Sequence, residues 1–287
     1  RIEPVSRDGA SHVVMGSLFF EQGRYADAVR EFEQAVHLDH EPTVALLGIG
    51  NAHAGMKDNR RAEAAYRRAL ALNPDYVAAH LSLGVLLFGE QRYTDAGRHF
   101  ADAVRLRPDL ATAHLSLAAA HFAHGRYHEV ARESELAGQL DDKLAALAWY
   151  QRAQAYQAQG KLEDAATDYQ QILRRHPRMA LPYLRLGEVY ADQNKFEQAV
   201  VAFEMALTWN PLTAQAHWRL GRLYAGRQRW DEAIQHYQAE LLLAPGGPAT
   251  GALDGNAGAM RFDSPAVFQR PEVQVEVVNY DLADALR

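Results

Sequence analysis

The chain has 287 residues, 48% of them hydrophobic, and a formal net charge of -6; it is long enough for one large domain or two ordinary ones and too apolar to default to disorder. So small an acidic balance gives no support to a nucleic-acid partner, which needs a basic face, although the total says nothing about a local patch. With no cysteine in the sequence, disulfides, thiol catalysis and cysteine-ligated zinc are excluded.

No stretch approaches the roughly 20 apolar residues that span a bilayer. The opening Arg1-Ile2-Glu3-Pro4 does not read as a signal peptide. The compartment stays open between a bacterial periplasm and cytoplasm, with a slight leaning to the periplasm. Residues 1–8 read as an extended lead-in, with Asp8 or Ser11 placed to cap a first helix.

From residue 9 to 247 the sequence repeats. Asn73-Pro74, Arg107-Pro108, His176-Pro177, Asn210-Pro211 and Ala244-Pro245 each follow a helical run, and Asp39-His40 holds the same place without proline. The step is 34 residues, except that Pro108 to Pro177 spans 69, two repeats plus one residue. A small residue recurs at Gly16, Gly50, Gly84, Ala118, Ala153, Gly187 and Gly221. Sixteen positions later stand Phe32, Tyr66, Phe100, Ser134, Tyr169, Phe203 and Tyr237. Between them, Ala28, Ala62, Ala96, Val130, Ala165, Ala199 and Ala233 share a register, as do Tyr25, Asn59, Tyr93, Tyr127, Leu162, Phe196 and Trp230.

Each unit reads as a helical hairpin. The small residue on the first helix lets the second pack close, and the aromatic residue fills the gap between neighbouring hairpins. Proline marks the junction between hairpins, because it has no N–H and clashes with a continuing helix. Turn signals such as Gln22-Gly23-Arg24, Met56-Lys57-Asp58 and Gln193-Asn194-Lys195 fall inside each hairpin. These marks resemble the tetratricopeptide repeat family. The resemblance implies an all-α fold: a right-handed superhelical solenoid of seven helix-turn-helix repeats. The units are 9–42, 43–76, 77–110, 111–144, 146–179, 180–213 and 214–247. The fourth departs from the pattern: Ser134 replaces the aromatic residue, Asp141-Asp142 replaces the proline, and one residue is added near Ala145. A looser junction or a changed angle is expected there.

Beyond Pro245, Gly246 to Gly258 reads as linker, and 248–287 as a non-repeat extension with a candidate strand at Val273-Gln274-Val275-Glu276-Val277. One strand is not stable alone. The tail is therefore expected to dock on the array, to join copies of the chain or add to a partner, or to stay mobile or belong to a longer domain.

The resemblance also assigns a concave face to the first helices. It places Phe20, Leu47, Asn51, Leu81, Val85, Phe88, Leu115 and Phe122 in units one to four as an apolar groove. Tyr150, Gln154, Glu188, Trp218 and Arg222 make a polar stretch in units five to seven. An amphipathic helix or an extended apolar peptide suits the first stretch; packing of these leucines inside the array is the competing reading. Asn51 resembles the asparagine of a carboxylate clamp, but Leu47, Leu81 and Val85 stand where basic companions are needed. Trp149 and Trp230 match positions that pack inside repeats, whereas Trp218 fits core or surface anchor equally.

His121, His124 and His128 share a helical spacing, but the turn at Gly125-Arg126 breaks it. Asp254-Gly255-Asn256 opens like a calcium loop and lacks the later ligands. No phosphate loop, dinucleotide fingerprint, zinc-protease motif or nucleophile elbow is present. The expectation is a protein- or peptide-binding scaffold, not an enzyme, with no cofactor or metal. The alternatives are a self-assembling solenoid and the regulatory part of a larger enzyme.

Overall fold

A missing side chain and a ring set the distance between paired helices. In the computed structural model, a Cβ added to Gly16 would stand 2.7 Å from the Phe32 ring. At Gly50 it would stand 2.3 Å from Tyr66, at Gly84 2.5 Å from Phe100, at Gly187 2.7 Å from Phe203 and at Gly221 2.6 Å from Tyr237. Phe32 also lies 2.6 Å from the Cβ position of Gly48, on the first helix of the next hairpin. One ring thus closes both the seam within a hairpin and the seam to its neighbour.

The structure describes residues 8–213 and 215–243. Among them are fourteen α-helices in seven hairpins: α1 (Gly9–Glu21) with α2 (Tyr25–His37), α3 (Pro42–Gly55) with α4 (Asn59–Leu72), α5 (Val77–Gly89) with α6 (Tyr93–Leu106), α7 (Ala111–Ala123) with α8 (Tyr127–Leu140), α9 (Ala145–Ala158) with α10 (Leu162–Arg175), α11 (Ala180–Asp192) with α12 (Phe196–Trp209), and α13 (Ala216–Gly226) with α14 (Trp230–Leu243). A 3-10 turn, Asp142–Leu144, precedes α9. None of these helices is long and apolar enough to cross a membrane. The lead-in, the linker, the candidate strand at 273–277, the Asp254 loop and any self-association through the tail lie outside the described residues.

The chain divides into two compact units that part between Asp142 and Lys143. The first holds α1–α8 and the second α9–α14. The division falls at Asp141-Asp142, where the proline of the repeat is missing.

The second helices are amphipathic. Ala28, Phe32 and Ala35 on α2, and Ala199, Ala202, Phe203 and Ala206 on α12, form one buried face each. In the fourth hairpin the complementary pair is small on both sides. Ser134 and Ala118 are fully buried, and α7 is buried without a break from Ala113 to Ala120. Helix α7 is thus buried on more than one face in the hairpin that lacks the ring.

Every hairpin turns through one left-handed residue: Gly23, Lys57, Gln91, Gly125, Gly160, Asn194 and Gln228, with φ between 58° and 73°. Only Gly takes that conformation without strain, and Asn tolerates it. Asp8 caps α1, accepting from the Ser11 N–H at 2.8 Å. At the junctions Asn73 and Asn210 each accept from a backbone N–H two residues on, both at 3.0 Å. This is the short Asx turn that suits an Asn-Pro pair.

Candidate functional site

In the first unit α1, α3, α5 and α7 lie side by side. The phenylalanine in the last turn of a first helix packs on the tyrosine that starts the second. Ring centroids are 5.4 Å apart for Phe20–Tyr25, 5.0 Å for Phe88–Tyr93 and 5.5 Å for Phe122–Tyr127. Leu47 and Leu81 are half-buried against the core. Leu115 is buried. Asn51 accepts a hydrogen bond from the Tyr66 hydroxyl at 2.8 Å. What this face leaves open is therefore led by Val85 and Phe122, the two exposed members of the set.

In the second unit the inner polar residues form a chain of bonds. The Tyr150 ring packs edge-on to Tyr169 at 5.8 Å. Its hydroxyl accepts from Arg185 Nε at 3.3 Å. Arg185 also donates to Glu188 at 3.0 Å, and Arg219 reaches the other Glu188 oxygen at 2.8 Å. Burial opposes the Arg185 charge, but Tyr150 and Glu188 outweigh it and raise its pKa. A carboxylate only 6% exposed thus sits between guanidinium groups from α11 and α13.

A cleft of about 230 Å³ opens beside this pair, lined by Glu188, Ala191, Asp192, Phe203, Arg219, Arg222 and Leu223. Arg222 is exposed, and its guanidinium lies 4.8 Å from the Trp218 ring centroid; that of Arg219 lies 5.6 Å away. The half-buried indole holds both cations by its π face. The buried Nε of Arg219 has no hydrogen-bond partner. Glu240 of α14 accepts from the Gln215 and Trp218 N–H groups at 3.1 and 3.3 Å, which fixes the start of α13 where its free N–H groups point. Gln154 is half-buried on α9.

The structure brings Glu188, Arg222 and Trp218 into one neighbourhood and places Tyr150 next to Glu188 through Arg185. Sequence reasoning missed Arg185 and Arg219. Their signal is one register: both stand two residues before the repeat glycine, 34 residues apart. Chemically the cleft offers an exposed guanidinium on an indole, a second guanidinium paired with Glu188, and the carboxylate of Asp192. Such a set holds a carboxylate by charge-assisted bonds and a cation by its acids.

Trp149 half-buries in the core of the second unit, under Arg175 at 4.6 Å. Trp230 corrects the sequence reading: it is 59% exposed. Its register partner on α13 is Ala225, which offers no ring to pack on, and no hairpin beyond α14 covers it among the described residues.

His121, His124 and His128 do not converge. His121 is on α7, His124 ends that helix, and His128 is on α8. At another register a histidine of the first helix bonds to the second. His12 meets Glu31 at 2.7 Å, His80 meets His99 at 3.1 Å, His114 meets Glu133 at 2.6 Å and His217 meets His236 at 3.0 Å. Among the described residues the group able to share a metal ion is His80, His99 and Asp102.

Comparison with known proteins agrees with this architecture. No curated protein matches the sequence. Among solved structures, the C-terminal part of a TPR repeat-containing protein from Cytophaga hutchinsonii is 15% identical, covering 80% of this chain and 95% of its own, with a TM-score of 0.65. A tetratricopeptide repeat protein from Parabacteroides merdae is 14% identical, covering 83% and 94%, with a TM-score of 0.64. YrrB, described as a TPR protein with an unusual peptide-binding site, is 19% identical, covering 64% and 95%, with a TM-score of 0.57. At these identities the likeness is one of fold. The family model described as the tetratricopeptide repeat matches residues 13–54, 47–111, 150–208 and 184–248. With the matches spanning more than half of its length, the chain belongs to the tetratricopeptide repeat family.

Proposed function

We propose that the chain is a protein- or peptide-binding scaffold whose anchor point is the α11–α13 cleft. The observation that carries this reading is Arg222, exposed and stacked on Trp218 at 4.8 Å beside the buried Glu188–Arg219 pair. Rigid aromatic and arginine side chains in a preformed recess are the groups that dominate binding energy at protein interfaces. The exposed Val85 and Phe122 on the first unit offer apolar contact to the same class of partner. The peptide-binding site named for YrrB supports the class of function, not the residues. The ligand that fits the cleft is a peptide segment with an acidic side chain or carboxyl terminus for Arg222, flanked by an apolar residue for Trp218.

The test is co-purification from the native host, quantified by mass spectrometry, with wild type compared against Trp218→Ala and Arg222→Glu. The reading expects a partner enriched with wild type and lost with both variants, which stay folded by circular dichroism. Equal recovery with all three chains moves the site elsewhere. Self-association through 248–287 is a separate proposal, motivated by the alternation at 273–277. Equal mass by light scattering for the full chain and for a version ending at Pro245, both monomeric, removes it.

A further inference from the structure

We infer that His80, His99 and Asp102 form a binding site for a divalent transition-metal ion of the zinc, cobalt and nickel class, clipping α5 to α6. Their ligand atoms lie within 4.8 Å of one another. His80 is buried, and its Nε2 lies 2.8 Å from the Pro74 carbonyl oxygen. A carbonyl only accepts, so Nε2 carries the hydrogen and His80 Nδ1 presents a lone pair when the ring is neutral. Metal-bound histidines are oriented in this way, the far nitrogen donating to a backbone carbonyl.

The distance between the two nitrogens suits an ion. His80 Nδ1 and His99 Nδ1 are 3.1 Å apart. With metal–nitrogen bonds of about 2.05 Å, that separation subtends about 100° at the metal, between octahedral and tetrahedral angles. Asp102 stands one helical turn after His99 and supplies the third ligand. Two imidazoles and a carboxylate are the donor set of borderline ions, and three protein ligands leave positions for water.

Competing charges are weak. Arg105 donates to Asp102 at 3.3 Å, but it is exposed and has Asp75 at 4.0 Å as a second partner. An exposed pair of this kind is weakly held and gives way to an ion. The other charged groups acting on His99 are Asp95 and Arg67.

The same fold supplies its own control. His217 and His236 repeat the nitrogen contact at 3.0 Å in the second unit, but the position matching Asp102 is Ala239. At this register the metal site needs the carboxylate as well as the imidazole pair.

The test is a titration of the tag-free full chain with Co2+ and Zn2+ by calorimetry, with the visible cobalt spectrum as second readout. The expected result is one ion per chain, with affinity falling at least tenfold in His99→Ala and in Asp102→Ala and unchanged in His236→Ala. Both sites are half-buried, so the two loss variants are expected to fold, which circular dichroism checks; Asp102→Asn gives a second, nearly isosteric variant. Absence of saturable binding to wild type overturns the inference. So does equal affinity in wild type, His99→Ala and Asp102→Asn, or loss of binding in His236→Ala alone.

Discussion

The Tyr66 hydroxyl on α4 donates to Asn51 on α3 across 2.8 Å. An asparagine that resembles a groove residue in sequence is thereby turned to the task of satisfying a buried phenol. Burial pushes the Tyr66 pKa from 10.0 up to about 12. The protonated form is the one the fold favours, so its stability share is complete below pH 10 and is lost as pH rises from 10 towards 12. That share is about 3 kcal/mol. Urea melts at pH 9 and pH 11.5 are expected to show a smaller alkaline loss in Tyr66→Phe than in wild type. An identical loss in both contradicts the assignment.

The glycine–ring pairs are expected to be intolerant of one added methyl group. Gly84→Ala places a Cβ 2.5 Å from Phe100, which is fully buried and cannot swing away. Overpacking of this kind costs about 1–3 kcal/mol. Phe100→Leu alone is destabilising, but the double variant is expected to lose less than the sum of the two. Additive losses by chemical denaturation show that the two positions do not share the space.

Three hairpin turns carry a residue other than Gly or Asn in the left-handed region: Lys57, Gln91 and Gln228. Gln91→Gly and Gln228→Gly are expected to raise the melting temperature, by relieving about 1 kcal/mol of strain each. Gly160→Ala, at φ 73°, is expected to lower it by a similar amount. Opposite signs in differential scanning calorimetry contradict this account of the turns.

Asp168, 2% exposed, receives two bonds of 2.8 Å from Arg152. Removing one partner of a buried pair takes both charge-assisted bonds from the other, at a cost of about 3–5 kcal/mol. Arg152→Ala is expected to lose that much in denaturant melts of the second unit. A loss below 1 kcal/mol places the pair among ordinary surface bridges.

The hairpins were legible because a 34-residue step aligned the glycines with rings 16 positions later, and that spacing has one physical reading. The face of the first helices was less so. Phe20, Phe88 and Phe122 reach their tyrosines five residues on, across a left-handed turn, a contact that no helical period encodes. Leu115 is buried along with every residue of α7 from Ala113 to Ala120, a run that the one-face pattern of a hairpin helix does not announce. Arg185 and Arg219 belong to no motif the sequence offers, and only the folded pair of helices brings Glu188 between them. Trp230 reads as core by register, yet burying it takes a larger neighbour than Ala225 or a further hairpin packed on α14.

The most direct test of the binding face is site-specific photo-crosslinking in the native host, with the crosslinker at position 192 on α11, where Asp192 lines the cleft and leaves Arg222 and Trp218 intact, and, in a separate chain, at position 201 on α12, where Val201 is 58% exposed. The account predicts a discrete protein adduct from position 192 that disappears in Trp218→Ala, and none from position 201. The same adduct from position 201, with nothing from position 192, would contradict it.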